Sequence, residues 1–393
     1  MAYTINPAVQ ATITPPIAEA FSWIPAETGQ RAFLNLSQAV PGYPPAAALQ
    51  VHIAGLAGMR ATSFYTDILG IPPLRTALAR RMAGAAGDVE AADTAITAGG
   101  NQAFCVAMNA IARPGDNVIV PLPVFFNHQM WLEMMGIEAR LSPTPADLPL
   151  PDPEAVASLI DARTRAVVLV TPNNPTGAVY PPALIAALFD LCQAHAIALV
   201  IDETYRDFTG LPGEPHGLLA RADWRDTFIQ LFSFSKSYAM TGYRAGSIIA
   251  HPRLVAEIEK LVDCVAICAP HIAQDAALFA LQELDDWLAA KVRLMSERLA
   301  AIDAALEHRD LAYEAITSGA FFAWVRHPFP GRPARDVARE LAQSHDLLVL
   351  PGSIFGPGQE RMLRLAFANA EAGDMAEVAR RLIESQDSMS LKR

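Results

Sequence analysis

The chain has 393 residues, 52% of them hydrophobic and 18% charged, which leaves room for one large domain and a smaller one and excludes a disordered chain. The formal net charge is −11, and no basic block or basic–aromatic cluster offsets it, so nucleic acid and anionic membranes are poor partners. The four cysteines, Cys105, Cys192, Cys264 and Cys268, form no C-x-x-C pair; they read as reduced, buried thiols of a cytoplasmic protein, Cys264 and Cys268 being spaced to share one helix face. The N-terminus lacks the basic and apolar regions of a signal peptide, no apolar run reaches membrane-spanning length, and there is no internal repeat.

Residues 1–45 are rich in Pro and Ala. The stretch from Asn35 to Pro45 cannot be a helix, because its prolines remove donors and fix φ, so it reads as an extended arm. From 46 to 285 short apolar runs recur at 94–97, 117–120, 166–170, 197–201, 227–232 and 245–250. Helical periods at 102–112, 126–135, 153–161 and 181–194 lie between several of them. Asp152 before Pro153 is a good helix start. Such alternation predicts an α/β fold with a mostly parallel sheet covered on both faces, which binds ligands beyond the carboxyl ends of its strands. After 286 the texture changes to a long helical pattern, short strands at 321–325, 347–350 and 362–366, and helices at 334–342 and 373–383. This reads as a smaller α+β domain.

Four stretches fall at the ends of predicted strands. Thr97-Ala98-Gly99-Gly100-Asn101 opens a helix, where glycines permit close backbone approach and free N–H groups suit a phosphate. Thr171-Pro172-Asn173-Asn174-Pro175-Thr176-Gly177 is a rigid loop able to aim an amide. Asp202-Glu203-Thr204-Tyr205 puts a carboxylate at the end of a buried strand, which is costly unless a cation pairs with it. Ser233-Phe234-Ser235-Lys236 puts an amine near the core, where desolvation favours the neutral nucleophile, with the fork of Arg244 eight residues on. Zinc-site spacing and a G-x-S-x-G elbow are both absent, which disfavours metal chemistry and a Ser–His–Asp hydrolase.

In combination and in this order, these stretches resemble the class I/II aminotransferases, pyridoxal-phosphate enzymes of fold type I. The likeness runs from about Leu36 to Ala368. It implies a large cofactor-binding domain at 46–285 and a small domain formed by 286–393 with part of 1–45. It also implies pyridoxal 5′-phosphate as cofactor, amino-acid and 2-oxo-acid substrates, and a homodimer. By this resemblance Lys236 holds the cofactor aldehyde as a Schiff base and shuttles a proton, Asp202 pairs with the ring nitrogen, and Asn174 and Tyr205 bond the ring hydroxyl. Phe125 stacks on the ring, while Gly100, Asn101, Ser233 and Arg244 hold the phosphate, with Tyr65 reaching it from the other subunit. Arg364 grips the substrate α-carboxylate, supported by Asn174.

Two departures bear on specificity. Ala39 stands where the family usually has Gly, in the arm lining the substrate pocket. No arginine is clearly placed for a side-chain carboxylate; the comparable segment offers His271. With Phe21, Trp23, Ala39 and Phe322 expected along the pocket, neutral or aromatic amino acids are favoured over aspartate. Within the same fold, β-elimination, decarboxylation and ring closure are the rival reactions, and a regulatory protein that kept the fold is the rival from another class.

Overall fold

The computed structural model describes residues 3–26 and 31–390. Strand β1 (Leu34–Asn35) lies in the N-terminal arm. Strands β2 (Thr94–Thr97), β3 (Asn117–Pro121), β4 (Glu138–Ser142), β5 (Thr164–Val170), β6 (Ala198–Asp202), β7 (Phe228–Ser233) and β8 (Gly246–Ile249) form a seven-stranded sheet in the order β2-β8-β7-β6-β5-β3-β4. All neighbours pair in parallel except β8, which runs antiparallel to β2 and β7.

Every one of the six expected apolar runs is a strand of this sheet, and both faces are buried. In β5, Val167 and Leu169 join one core, while Ala166 and Val168 join the other. Leu199 and Ile201 of β6 alternate with Val200 in the same way. Two buried faces explain why the runs are continuous rather than alternating. The unexpected strand, β4, is an edge: Glu138 is exposed and ion-paired to Arg140, so no apolar run announces it.

The second sheet follows from β9 (Glu314–Gly319), β10 (Phe322–Arg326), β11 (Leu347–Leu348), β12 (Leu350–Pro351) and β13 (Met362–Ala366). Four of these form an antiparallel sheet, β12-β13-β10-β9. Strand β11 instead pairs in parallel with β1, which ties the arm to the C-terminal part. Ala20, Trp23 and Leu36 share a core there with Trp324, Leu341 and Leu363. The polar edge strand β9 was not expected either.

The thiol reading needs correction. Cys192 is buried, Cys105 and Cys268 are partly exposed and Cys264 is exposed, all four unpaired. The helix Pro252–Ala266 stops before Ile267, which has φ of 63°, so Cys268 lies outside the helix and shares no face with Cys264.

A further small core, containing Ala39, Tyr205, Phe208, Phe321, Phe322 and Ala366, sits where the two sheets meet. The approach there is close. Gly177 has φ of 75°, and a Cβ on it would fall into the backbone of Gly319. We expect Gly177→Ala to lose about 1–3 kcal/mol of stability through strain at this φ alone, and more if the Gly319 backbone cannot yield. Urea unfolding of the variant beside the parent measures it, and equal midpoints would refute the tightness of the junction.

Candidate active site

Strands β2, β5, β6 and β7 all end at one edge of the large sheet, and their following residues converge on a cavity of about 430 Å³. Gly100, Asn101, Asn174, Asp202, Tyr205, Ser233 and Lys236 line it from these strand ends. Phe125 and Arg244 line it from neighbouring loops, Ala39 from the arm, and Arg364 from β13 of the small sheet.

Lys236 lies on a single helical turn, Phe234–Ser237, capped by the Ser233 hydroxyl accepting from the Ser235 amide at 3.3 Å. Its Nζ donates to the Ala39 carbonyl at 2.5 Å and sits 5.9 Å from the centre of the Tyr205 ring. Burial, reinforced by the charges of Arg364 and Arg244 and opposed by Asp202, lowers its pKa to about 8. An amine with that pKa, though still mostly protonated near physiological pH, has a far larger neutral, nucleophilic fraction than an ordinary lysine.

Asp202 is 6% exposed at the last position of β6. Burial alone would push its carboxyl up. His128 and the Thr204 amide, which donates at 2.9 Å, outweigh that and hold it below the ordinary carboxylate value. His128 Nε2 lies 3.3 Å from Asp202 Oδ2, an electrostatic contact without hydrogen-bond alignment. The imidazole stacks on Phe104 with centroids 3.8 Å apart and meets Phe125 edge-on at 5.1 Å. Sequence reasoning missed His128. Its signal was the i, i+3 spacing from Phe125 at the start of the helix Phe126–Met134, which sends both rings to one side.

Arg364 is 2% exposed, and no carboxylate among the described residues forms a salt bridge with it. It donates to Asn174 Oδ1 at 2.8 Å and to the Ser37 carbonyl, and its Nε has no partner. The guanidinium carbon lies 5.1 Å from the centre of the Phe322 ring and 5.2 Å from that of Phe355. Burial lowers its pKa to about 10, with Tyr205 opposing the shift. The doublet Asn173-Asn174 divides its work. Asn173 turns inward, donating to Tyr180 Oη at 3.0 Å and accepting from Thr176 Oγ1 at 2.9 Å, and leaves Asn174 to face Arg364.

At the other end, the helix Gly100–Ile111 starts without a side-chain cap, so its first-turn amides are available to an anion. Arg244, exposed at this end with φ of 62°, donates to the carbonyls of Thr241 at 3.0 Å and Ala98 at 3.3 Å. A Cβ on Gly99, which has φ of 87°, would collide with its guanidinium. Hence the glycine that precedes the helix is what lets the arginine close over the helix start.

Residues 32–382 match the family model described as aminotransferase class I and II. The chain belongs to this family. It is 30% identical over 358 residues to the aromatic aminotransferase ISS1 of Arabidopsis thaliana, covering 89% of this chain and 88% of the relative. To the arginine–pyruvate transaminase AruH of Pseudomonas aeruginosa it is 32% identical, over 91% of this chain and 90% of that one. The solved structure of aspartate aminotransferase from Thermus thermophilus with maleate superposes with a TM-score of 0.87 at 25% identity, over 98% of this chain and 100% of the other. The chain is thus an enzyme that moves an amino group between an amino acid and a 2-oxo acid, in the fold type I architecture.

Among the described residues that the resemblance assigned to the cofactor or the α-carboxylate, Tyr65 alone does not line this aminotransferase's cavity. It is 73% exposed, beside Phe64, which is 57% exposed. His271 lies against the same segment, its Nδ1 3.2 Å from the Phe64 carbonyl and its Nε2 3.5 Å from Asp275. The pocket wall also differs from expectation. Phe21 is partly exposed, Trp23 belongs to the core beside the small sheet, and Phe322 packs against Arg364 and Tyr205. The apolar wall is built instead by Pro15, Pro16, Ile17, Val40 and Phe126.

The lowered pKa of Lys236 gives a direct test. In the cofactor-free aminotransferase, acylation of Lys236 by an amine reagent is expected to rise about tenfold per pH unit below 8 and level off above it. The lysine amine of a short model peptide, treated in parallel, keeps gaining towards about pH 10. A Lys236 profile that parallels the peptide's, read by peptide mass spectrometry, would contradict the burial argument.

Proposed function

We propose that this aminotransferase uses pyridoxal 5′-phosphate to exchange amino groups between neutral or aromatic α-amino acids and 2-oxo acids, working as a homodimer in the cytoplasm. The single observation that carries the reading is the buried, acid-free Arg364 facing a cavity that also holds Lys236, Arg244 and only one carboxylate, Asp202. Three cations against one anion fit a ligand pair bearing a phosphate and a carboxylate. The cradle of uncapped helix, Ser233 and Arg244 suits the phosphate, and the orphaned Arg364 Nε suits the carboxylate. The domain division proposed is 46–285 for the cofactor-binding part and 286–393, with part of 1–45, for the rest.

When bound, the cofactor supplies an electron sink that stabilises negative charge at the substrate α-carbon. Lys236 would hold the cofactor through its amine and would serve as the base and acid that moves the proton at the substrate α-carbon. Asp202, kept ionised by His128 and Thr204, holds a proton on the ring nitrogen. Asn174 and Tyr205 would bond the ring hydroxyl, and Phe125 would pack against the ring. Gly100, Asn101, Ser233 and Arg244 take the phosphate, with Tyr65 reaching in from the other subunit. Exposed apolar residues of the same segment, Met59 and Phe64, suit a subunit interface. Four free cysteines suit a reducing compartment.

Arg364 fixes the α-carboxylate together with Asn174. Beyond it, Ala39 and the wall of Pro15, Pro16, Ile17, Val40 and Phe126 face the substrate side chain with no cation to spare. A side-chain carboxylate placed there would be desolvated and unpaired, at a cost of several kcal/mol. The likeness to an aromatic aminotransferase agrees with that choice.

Arg364→Ala is expected to lower kcat/KM by about 2–5 kcal/mol for every amino acid, the scale for breaking a buried charged pair; an unchanged constant for any good substrate would refute its role. In single-turnover spectra with alanine, methionine, phenylalanine, glutamate and aspartate, the neutral and aromatic substrates are expected to react fastest and 2-oxo acid to reverse the change. A clear win for aspartate would overturn the specificity, and a change that 2-oxo acid does not reverse would overturn transamination.

A further inference from the structure

Lys236 depends on a turn that cannot hold itself. The helix Phe234–Ser237 is four residues long, far below the length at which a helix is stable alone. Its last residue, Ser237, is fully buried. The Ser237 hydroxyl donates to Asp207 Oδ2 at 2.5 Å, and Arg81 Nη2 lies 2.7 Å from the other oxygen of the same carboxylate. Asp207 belongs to the 3₁₀ turn Arg206–Phe208 that begins just after Tyr205, and the Phe208 amide donates to the Tyr205 carbonyl at 2.9 Å. One carboxylate therefore cross-links the segment after β6, which carries Asp202 and Tyr205, to the segment after β7, which carries Lys236.

None of Arg81, Asp207 and Ser237 lines the cavity. Arg81 comes from the helix Pro72–Ala83, and its guanidinium carbon stands 6.0 Å from the centre of the Tyr238 ring, so the clamp is anchored in the body of the large sheet's helical layer. Burial works against the Arg81 charge, and Asp207 outweighs it. The hydroxyl bonds a carboxylate already paired with a guanidinium, and the contact is short.

We propose that Asp207, held between Arg81 and Ser237, is a positioning residue that fixes the placement of Lys236 relative to Tyr205 and Asp202. The inference rests on Lys236 being the residue that attaches the cofactor. It acts through placement only, since the charges that face Lys236, those of Asp202, Arg244 and Arg364, come from outside the clamp.

The experiment uses the dimeric holoenzyme reconstituted with pyridoxal phosphate. Borohydride reduction and peptide mapping of the parent come first and are expected to find the pyridoxyl group on Lys236; a label elsewhere overturns both the functional reading and this inference. With the label on Lys236, Ser237→Ala and Asp207→Ala are expected to lower kcat about 10–100-fold, the scale of a small misplacement. KM for the amino acid should stay within about twofold, because Arg364 is anchored independently. The pH midpoint of the cofactor's visible band should move by about 0.5 unit or more, and Ser237→Thr, which keeps the hydroxyl, should restore both. Folded Ser237→Ala with parental kcat and band midpoint overturns the inference and leaves the functional reading standing. If Asp207→Ala fails to fold, because it leaves Arg81 only the exposed Asp285 at 3.8 Å, Ser237→Ala decides alone, as it removes one hydroxyl and no charge.

Discussion

A guanidinium buried without an acid is a costly thing to build, and the cavity is organised around one. Arg364 keeps its charge because ring faces of Phe322 and Phe355 and the oxygens of Asn174 and Ser37 replace part of its hydration. Those partners come from the small sheet, the loop after β5 and the N-terminal arm. One side chain thus pins three regions of the chain together, and it does so with neutral acceptors that leave its net charge free to act on a ligand. An aspartate in place of Asn174 would neutralise it and remove the attraction.

The same low-polarity setting drives two neighbours in opposite directions. Lys236, among other cations, is pushed towards its neutral form, while Asp202, backed by His128 and a backbone amide, is kept charged. Burial disfavours charge at both. The difference lies in the local partners, which come from the strand ends and from the start of the helix Phe126–Met134.

Much of this was legible in the sequence because burial on both faces leaves continuous apolar runs, and because the groups at the strand ends are polar residues in places where polarity is expensive. Lys236, Asp202 and Asn174 announced themselves in that way, while Arg364, in the middle of β13, came from the resemblance to the family. The edge strands β4 and β9 did not, since one polar face erases the run. His128 was hidden because its importance is a contact with Asp202, 74 positions away in the chain, and a histidine in an aromatic helix start reads as core. The apolar wall was misassigned for a similar reason: Phe21 and Trp23 are larger and more conspicuous than Pro15, Pro16 and Ile17, but the turn ending α-helix Pro16–Phe21 carries Trp23 into the core beside the small sheet and leaves only the start of that helix at the cavity.

The division of labour between Asn173 and Asn174 has a consequence for how this family member can change. Surface loops ordinarily tolerate insertions and deletions. Here two identical adjacent residues perform opposite tasks, one closing the loop on Tyr180 and Thr176 and the other facing Arg364. A register slip of a single position would exchange them, turning the outward amide into the brace and presenting Pro175, which has no amide side chain, to the arginine. The segment between Val170 and Gly177 is therefore locked in length as firmly as in composition, and variation in this enzyme has to enter elsewhere, through the arm and the residues of its apolar wall.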